Sequence, residues 1–216
     1  MGEREPKANR RPLKSRSTGW AAAAARGAIR LGLNANQISF LGIVVAIFGA
    51  WALVEADGRP WLFLVAAGCV QLRLLCNLLD GMVAVEGGRG GPTGAIWNEF
   101  PDRVEDTLLL VAAGFAADPI FGLMLGLVAA LLAAVCAYIR LLGGTLGRPQ
   151  DFGGPMAKPH RMAALTVGLV AAFTQRMMTG NPHDHSWLLL ALAVIAAGTL
   201  LTITLRLQRL AKALRQ

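Results

Sequence analysis

Long apolar stretches separated by short polar turns dominate the chain and predict a bundle of membrane helices. Six stretches approach the roughly 20 residues that one membrane helix needs. They cover residues 38–54, 61–85, 94–116, 118–142, 157–173 and 187–205. Polar residues interrupt the second, third and fifth stretches, so their hydropathy alone is marginal. We therefore predict an all-α integral membrane domain of six transmembrane helices over residues 34–216.

The segment before the first predicted span is polar and basic. Its low hydrophobicity predicts that residues 1–18 form a disordered basic arm. Residues 19–33 are predicted to form an amphipathic helix at the membrane surface, because Arg26 and Arg30 lie one turn apart beside a run of alanines. These arginines also interrupt the apolar run that a signal peptide would need. The sequence that begins at Asn34 is typical of the start of a helix.

Composition and charge also indicate a membrane protein. Hydrophobic residues make up 55% of the chain and charged residues 16%, against about 25% charged residues in soluble domains. The net charge is +8, and eight of the 21 Lys and Arg residues precede Ile38. Basic residues beside membrane helices favour the cytoplasmic side and contact anionic lipid. We therefore expect cytoplasmic N- and C-termini, membrane lipids as partners and no nucleic acid.

A cluster of charged and amide side chains occupies the end of the second predicted span and the beginning of the third. Charge at membrane depth costs roughly 2.5–3.5 kcal/mol per residue on insertion scales, so such a cluster is predicted to be functional. Asn77 and Asp80 share one helix face, and Asn98 and Asp102 share another. Hard divalent cations bind carboxylate and amide oxygens. The pattern predicts a cytoplasm-facing divalent-cation site suited to phosphoryl transfer.

The same residues resemble the motif of the CDP-alcohol phosphatidyltransferases, also called CDP-alcohol phosphotransferases. That motif is D-x-x-D-G-x-x-A-R, eight residues, then G-x-x-x-D-x-x-x-D. This chain reads N-L-L-D-G-M-V-A-V, eight residues, then G-A-I-W-N-E-F-P-D. The identities are Asp80, Gly81, Ala84, Gly94 and Asp102, and the departures are Asn77, Val85 and Asn98.

The resemblance implies an enzyme of phospholipid biosynthesis. It would transfer a phosphatidyl group from a CDP-linked lipid such as CDP-diacylglycerol to a hydroxylated, optionally phosphorylated, acceptor and release CMP. The resemblance implies Mg²⁺ or Mn²⁺ as cofactor, Asp102 as the catalytic base, a homodimer and a bacterial inner membrane. The implied metal ligands are Asn77, Asp80, Asn98 and Asp102, with Asp106 as a further candidate. Nucleotide binding is assigned to Gly81, Ala84 and Gly94, and acceptor binding to Arg140, Lys158, His160 and Arg161.

Other interpretations remain open at this point. In a second register, Asp102 and Asp106 form the final motif pair. The two asparagines and Val85 are also compatible with a catalytically silent relative that binds nucleotide-lipid or acts as a membrane scaffold. A transporter is disfavoured, because the polar groups form one compact site rather than a path.

Two charge pairs are predicted around this cluster. Arg73 lies one turn before Asn77, at the depth that Asp106 would have in an antiparallel hairpin, so we predict that Arg73 and Asp106 form an ion pair. Glu99 and Arg103 are four residues apart on one helix and are predicted to pair with each other. The cysteines, which lie in apolar runs, are interpreted as buried small side chains.

Overall fold

A computed structural model describes residues 18–86, 93–181 and 184–215, and all the regular secondary structure within them is α-helical. The predicted all-α class is confirmed, and each predicted span corresponds to a helix. The helices are α1 (Gly19–Arg30), α2 (Ala35–Val54), α3 (Trp61–Glu86), α4 (Gly94–Ala117), α5 (Phe121–Thr145), α6 (Lys158–Thr179) and α7 (Ser186–Leu214). The predicted basic arm lies outside the described residues, except for Thr18.

Four of these helices are long and apolar enough to cross a membrane: α2, α3, α5 and α7. The prediction that the second span is marginal is wrong, because α3 meets this measure although it contains Arg73 and Asp80. Helices α4 and α6 do not meet it: α4 carries five charged side chains from Glu99 to Asp106, and α6 carries two near its start and Arg176 in its last turn. The count of six spans therefore stays a prediction.

The start of α2 is fixed by a reciprocal cap, as the sequence predicts. The Asn34 side chain accepts a hydrogen bond from the Gln37 backbone N–H, and the Gln37 side chain accepts one from the Asn34 backbone N–H, both at 2.9 Å. This arrangement satisfies donors that a helix start leaves free. It also separates α2 from α1, whose alanine face packs against α3 while Arg26 and Arg30 are exposed. Whether α1 lies on a membrane surface stays a prediction.

Helices α2 to α7 form a closed ring, in which α2 packs on α3 and α4, α4 on α5, α5 on α7, α7 on α6, and α6 on α3. A shared apolar core fills its interior. Short connections make successive helices antiparallel. The beginnings of α2, α4 and α6 therefore meet the ends of α3, α5 and α7 at one end of the ring. The three cysteines are buried and free, as predicted.

The contact between α4 and α5 depends on glycines that let the two backbones approach. A Cβ atom built on Gly126 would lie 2.6 Å from the Leu110 carbonyl oxygen, and one on Gly114 would lie 2.3 Å from the Gly122 carbonyl oxygen. Backbone atoms cannot move aside as a flexible side chain can. Small residues of this kind allow close helix packing in lipid.

We predict that Gly126→Ala destabilises the bundle by about 1–3 kcal/mol, the usual range for overpacking a tight contact. Thermal unfolding of the purified protein in detergent measures this effect. Gly68→Ala on α3 is the matched control, because a Cβ there meets no heavy atom within 4 Å. Equal stability of the two variants would show that α4 and α5 can separate without cost.

Candidate functional site

The charged side chains of α3 to α7 meet around one cavity of about 530 Å³ at the end of the ring just described. Residues from six helices, all except α2, and from the α5–α6 connection line it. The polar residues of the lining are Gln71, Asn77, Asp80, Asn98, Glu99, Asp102, Arg103, Arg140, Gln150, Lys158, Arg161 and Arg206. All four residues of the predicted metal-binding set are therefore brought to one cavity, although they come from two different helices.

Asp80 combines burial with an unused oxygen. Its side chain is 6% exposed, and its Oδ2 atom accepts a hydrogen bond from the Ser39 hydroxyl at 2.7 Å. Its Oδ1 atom is buried and has no hydrogen-bond partner in the described part of the chain. An unpartnered buried carboxylate oxygen is costly, so it is suited to binding a donor or a cation. Asn98, by contrast, is exposed at the rim.

Asp102 lies at the centre of the cavity lining and is held by two donors. Its Oδ1 atom accepts hydrogen bonds from the Lys158 ammonium and from Asn77 Nδ2, the latter at 2.7 Å. Its Oδ2 atom lies 3.4 Å from Arg103 Nη2. Asn77 also donates to Glu105 Oε2 at 3.3 Å. In this arrangement the Asn77 amide joins two carboxylates as a hydrogen-bond donor, which an aspartate could not do when ionised.

Beneath these residues, Arg73 forms a fully buried ion-pair network. Its Nη1 atom donates to Glu105 Oε2 at 2.8 Å, and its Nη2 atom donates to Asp106 Oδ1 at 2.5 Å. The second oxygen of Asp106 accepts from Arg161 Nη2 at 2.9 Å. The predicted Arg73–Asp106 pair is thus confirmed. Glu105, which we had not placed on the functional face, is 0% exposed and belongs to this network.

Gly42 makes room for Glu105 on the neighbouring helix. A Cβ atom at Gly42 would lie 2.5 Å from Glu105 Oε1. That oxygen is buried without a hydrogen-bond partner among the described residues. The position of Glu105 therefore depends on α2 as well as on α3 and α4, and spacing along α4 alone could not predict it.

The predicted Glu99–Arg103 pair is wrong. Glu99 accepts a hydrogen bond from Arg140 Nη2 at 2.5 Å, and Arg103 contacts Asp102 instead. Arg140 reaches Glu99 because α5 packs beside α4, and Arg140 also donates to Gln150 Oε1 at 2.5 Å. A bond between two neighbouring helices replaces the predicted bond within one helix.

Arg206 is a cavity residue that the sequence reasoning missed. It is 4% exposed; its Nε atom donates to the Gly153 carbonyl and its Nη1 atom to the Cys136 carbonyl, both at 2.9 Å. These partners are neutral, so they leave its positive charge uncompensated by direct bonding. The only signal in the sequence is an arginine that directly follows an apolar run.

The connection that carries Gln150 and Phe152 is fixed between α5 and α7. Although partial burial opposes the effect, the Gly153 N–H and the Arg209 guanidinium lower the pKa of Asp151. Asp151 accepts from these two donors at 2.8 and 3.0 Å. The charged form of Asp151 thus holds the segment whose Phe152 ring lies 5.1 Å from the Arg140 guanidinium carbon.

Other predicted site residues lie outside the cavity lining. Gly81, Ala84 and Gly94 do not line it, and a Cβ at Gly94 would meet no heavy atom within 4 Å. His160 is exposed and does not line the cavity, whereas Arg140, Lys158 and Arg161 do. The roles assigned to these residues stay predictions.

The types of residue that line the cavity are suited to binding one divalent ion, but the described carboxylates are not arranged as a set of ligands. Two carboxylates and two amides supply oxygen donors, and Asp80 Oδ1 is free to bind. Within the described residues, however, no three His, Cys, Asp or Glu side chains are grouped as ligands. The physical reason is that the carboxylates of Asp102, Glu105 and Asp106 point at cationic side chains instead of at one another.

Comparison with characterised proteins identifies membrane relatives. The chain is 27% identical over 148 residues to phosphatidylinositol phosphate synthase of Mycolicibacterium smegmatis, a match covering 67% of this chain and 64% of that protein. It is 30% identical over 154 residues to inner membrane protein YnbA of Escherichia coli, covering 69% and 74%. A third relative, phosphatidylinositol phosphate synthase of Streptomyces avermitilis, is 28% identical over 192 residues, covering 82% and 72%. The chain matches no protein-family model.

The fold also matches solved structures. Mycobacterium tuberculosis phosphatidylinositol phosphate synthase (PgsA1) in complex with manganese and citrate superposes with a TM-score of 0.70 at 22% identity, covering 88% of both chains. The same enzyme with CDP-DAG bound gives a TM-score of 0.69, covering 88% of this chain and 92% of that one. At this identity the likeness establishes the fold alone.

We predict that Arg73→Met destabilises the protein by about 3–5 kcal/mol, because removal of one partner leaves buried charges uncompensated. Unfolding in detergent by heat or by SDS titration measures this loss. Arg59→Met is the matched control, since Arg59 and Glu55 form an exposed pair at 3.5 Å, which is expected to contribute about 0–1 kcal/mol. Similar losses in the two variants would contradict a special role for the buried network.

Proposed function

This chain belongs to the CDP-alcohol phosphatidyltransferase family, and we propose that it transfers a phosphatidyl group from a CDP-linked lipid to a hydroxylated acceptor, releasing CMP. Its four apolar helices and its inner-membrane relative identify it as an integral membrane protein. Relatives named phosphatidylinositol phosphate synthases, one of them with CDP-DAG bound, support CDP-diacylglycerol as the donor.

One observation carries the proposal: a single cavity is lined both by the carboxylates of Asp80 and Asp102 and by a group of basic side chains, most of them buried. Such a site can bind a diphosphate and an anionic acceptor together. Holding two reactants in place accounts for a large part of catalysis in phosphoryl transfer.

In the proposed reaction, the acceptor hydroxyl oxygen attacks the phosphorus that carries the diacylglycerol. The bond between that phosphorus and the CMP oxygen breaks, and the hydroxyl proton passes to the Asp102 carboxylate. A base in this position is expected to contribute about 10²–10⁴-fold. Asp102 requires release from its present donors, Lys158 and Asn77, to reach a substrate hydroxyl.

Mg²⁺ or Mn²⁺, when bound, would supply positive charge that stabilises the diphosphate. The residues that would hold it are Asn77, Asp80, Asn98 and Asp102, and the manganese complex of the M. tuberculosis enzyme supports this cofactor. Asp106 is a poor further ligand, because both of its oxygens accept hydrogen bonds from arginines. The same observation favours the motif register that ends at Asp102.

We propose that the cationic wall binds the acceptor and selects an anionic one. It comprises the predicted residues Arg140, Lys158 and Arg161, to which we add Arg206 because its bonding partners are neutral. His160 stays a weaker candidate, since it lies outside the lining. The names of the relatives favour a phosphorylated polyol as the acceptor.

The nucleotide and membrane assignments remain part of the proposal. Gly81, Ala84 and Gly94 flank residues 87–92, which lie outside the described part of the chain, and we retain them as the place of nucleotide approach. We propose six membrane spans with both termini in the cytoplasm. The described basic residues support this, because most lie at the cavity end and only Arg59 and Arg176 lie at the other. A homodimer stays an expectation from the family.

A silent relative is the alternative, and one observation favours it. Asp102 is bound to the Lys158 ammonium, and amides replace two carboxylates of the family motif. A protein of this kind would bind metal and CDP-lipid without turnover. If the wild type releases no CMP with any acceptor while Asn77→Asp plus Asn98→Asp restores release, the silent alternative is correct.

We predict that purified protein in detergent with CDP-diacylglycerol, Mn²⁺ and a polyol phosphate releases CMP, and that EDTA abolishes the release. Asp102→Ala is expected to lower the rate about 10²–10⁴-fold, and Asp80→Ala about 10–100-fold through weaker metal binding. CMP is quantified by chromatography.

Asp118→Asn is the control for these variants. Asp118 lies at the opposite end of the ring and accepts a hydrogen bond from the Ile120 N–H at 2.9 Å, which asparagine can also do. It is expected to keep the wild-type rate. Unchanged CMP release in Asp102→Ala and Asp80→Ala would refute the assignment of the site.

We predict that Arg206→Gln raises the KM for a phosphorylated polyol about tenfold and leaves the KM for CDP-diacylglycerol near the wild-type value. Glutamine keeps a donor for the carbonyl partners but removes the charge, and a charged hydrogen bond contributes about 1.5–3 kcal/mol. Steady-state kinetics with both substrates varied separates the two constants. An equal rise in both would point to a general structural effect.

A further inference from the structure

Lys158 occupies an unusual place for an acceptor-binding residue. It is the first residue of α6 and is 6% exposed, and its ammonium donates to Asp102 Oδ1. That oxygen belongs to the one carboxylate that the proposed function uses both for metal binding and as a base. A cation from the chain itself therefore sits at a position that a divalent ion would need.

The surrounding carboxylates are compensated in the same way. Glu99 is paired with Arg140, Glu105 with Arg73, and Asp106 with Arg73 and Arg161. Asp80, whose Oδ2 accepts from the Ser39 hydroxyl, has no cationic partner within salt-bridge distance among the described residues. The site thus neutralises most of its negative charge by itself. Buried carboxylates remain ionised under such conditions because each has a partner.

We propose that Lys158 is an internal counter-cation, which a divalent ion displaces from Asp102, and that the displaced ammonium then becomes available to the anionic acceptor. The inference rests on the metal site of the proposed function. Ammonium and divalent ion compete because both bind the same carboxylate oxygen and repel each other at short distance. Metal binding would in this way free one ammonium of the cationic wall to bind the acceptor.

The choice of lysine supports an exchangeable cation. Asp106 is held by two planar guanidinium groups, Arg73 and Arg161, which favour fixed and directional bonds. Lysine carries a point charge on a flexible four-carbon stem, so its ammonium can move without breaking a fixed, directional set of bonds. Lys158 also lines the open cavity, so its ammonium has space to reorient.

The first test measures Mn²⁺ binding without lipid substrate, by electron paramagnetic resonance of free Mn²⁺ in detergent. Lys158→Met removes the competing charge and keeps an unbranched side chain of similar length. We expect the Mn²⁺ dissociation constant to fall about tenfold or more. Arg59→Met, which removes an exposed cation at the opposite end of the ring, is expected to leave it unchanged.

An unchanged or weaker Mn²⁺ affinity in Lys158→Met, or no Mn²⁺ binding in either protein, would overturn the inference. The outcome is separable from that of the proposed function. Tighter Mn²⁺ binding without any CMP release would leave the inference standing and reject the enzyme, whereas CMP release with unchanged Mn²⁺ affinity would do the reverse.

A second test uses the wild type and does not depend on the folding of a variant. The rate at which an amine-acylating reagent modifies Lys158 is measured by mass spectrometry with and without saturating Mn²⁺. We expect Mn²⁺ to raise this rate at least severalfold relative to Lys212, an exposed lysine near the end of α7. A relative rate that stays constant or falls would show that Mn²⁺ does not release the Lys158 ammonium.

Discussion

The arrangement of the site depends on the compensation of Arg73 inside the helix ring. A guanidinium with no solvent exposure requires partners, and it has two, Glu105 and Asp106 on α4. Because Asp106 also binds Arg161, the same network joins α3, α4 and α6. Removal of Arg73 would leave the buried carboxylate of Glu105 without a cationic partner. The network therefore fixes the mutual register of α3 and α4, which carry the candidate metal ligands, and of α6, which carries Lys158 and Arg161.

Asn77 shows how the departures from the family motif fit this network. Its amide donates to both Asp102 and Glu105, which lie on the same side of α4. An ionised aspartate at this place would add a third carboxylate and would need another cation. The neutral Asn77 amide stabilises the Glu105 and Asp102 carboxylates with hydrogen bonds. It thereby provides part of the stabilisation that the positive charge of a metal ion would otherwise supply.

The sequence predicted the features that depend on local spacing. Long apolar stretches predicted the helices, the residues at Asn34 predicted the start of α2, and helix periodicity predicted the common face of Asn77 and Asp80. The antiparallel hairpin predicted the Arg73–Asp106 pair. The missed features all depend on contacts between different helices. Arg140 pairs with Glu99 because α5 lies beside α4, and Arg206 reaches the cavity because α7 packs on α5. Neither neighbour relation can be read from residue spacing along one helix.

The polar side chains of α4 and α6 are also explained by contacts between helices. Their 24 and 22 residues correspond to about 36 and 33 Å of helix, enough for a hydrocarbon core of about 30 Å. Hydropathy counts each charge as if it faced lipid, whereas Asp106 and Arg161 face each other inside the ring. Paired and buried charges cost less than charges exposed to lipid, since each satisfies the other. The charged side chains that lower the hydropathy of α4 and of the start of α6 therefore line the cavity or pair beneath it, and do not face lipid.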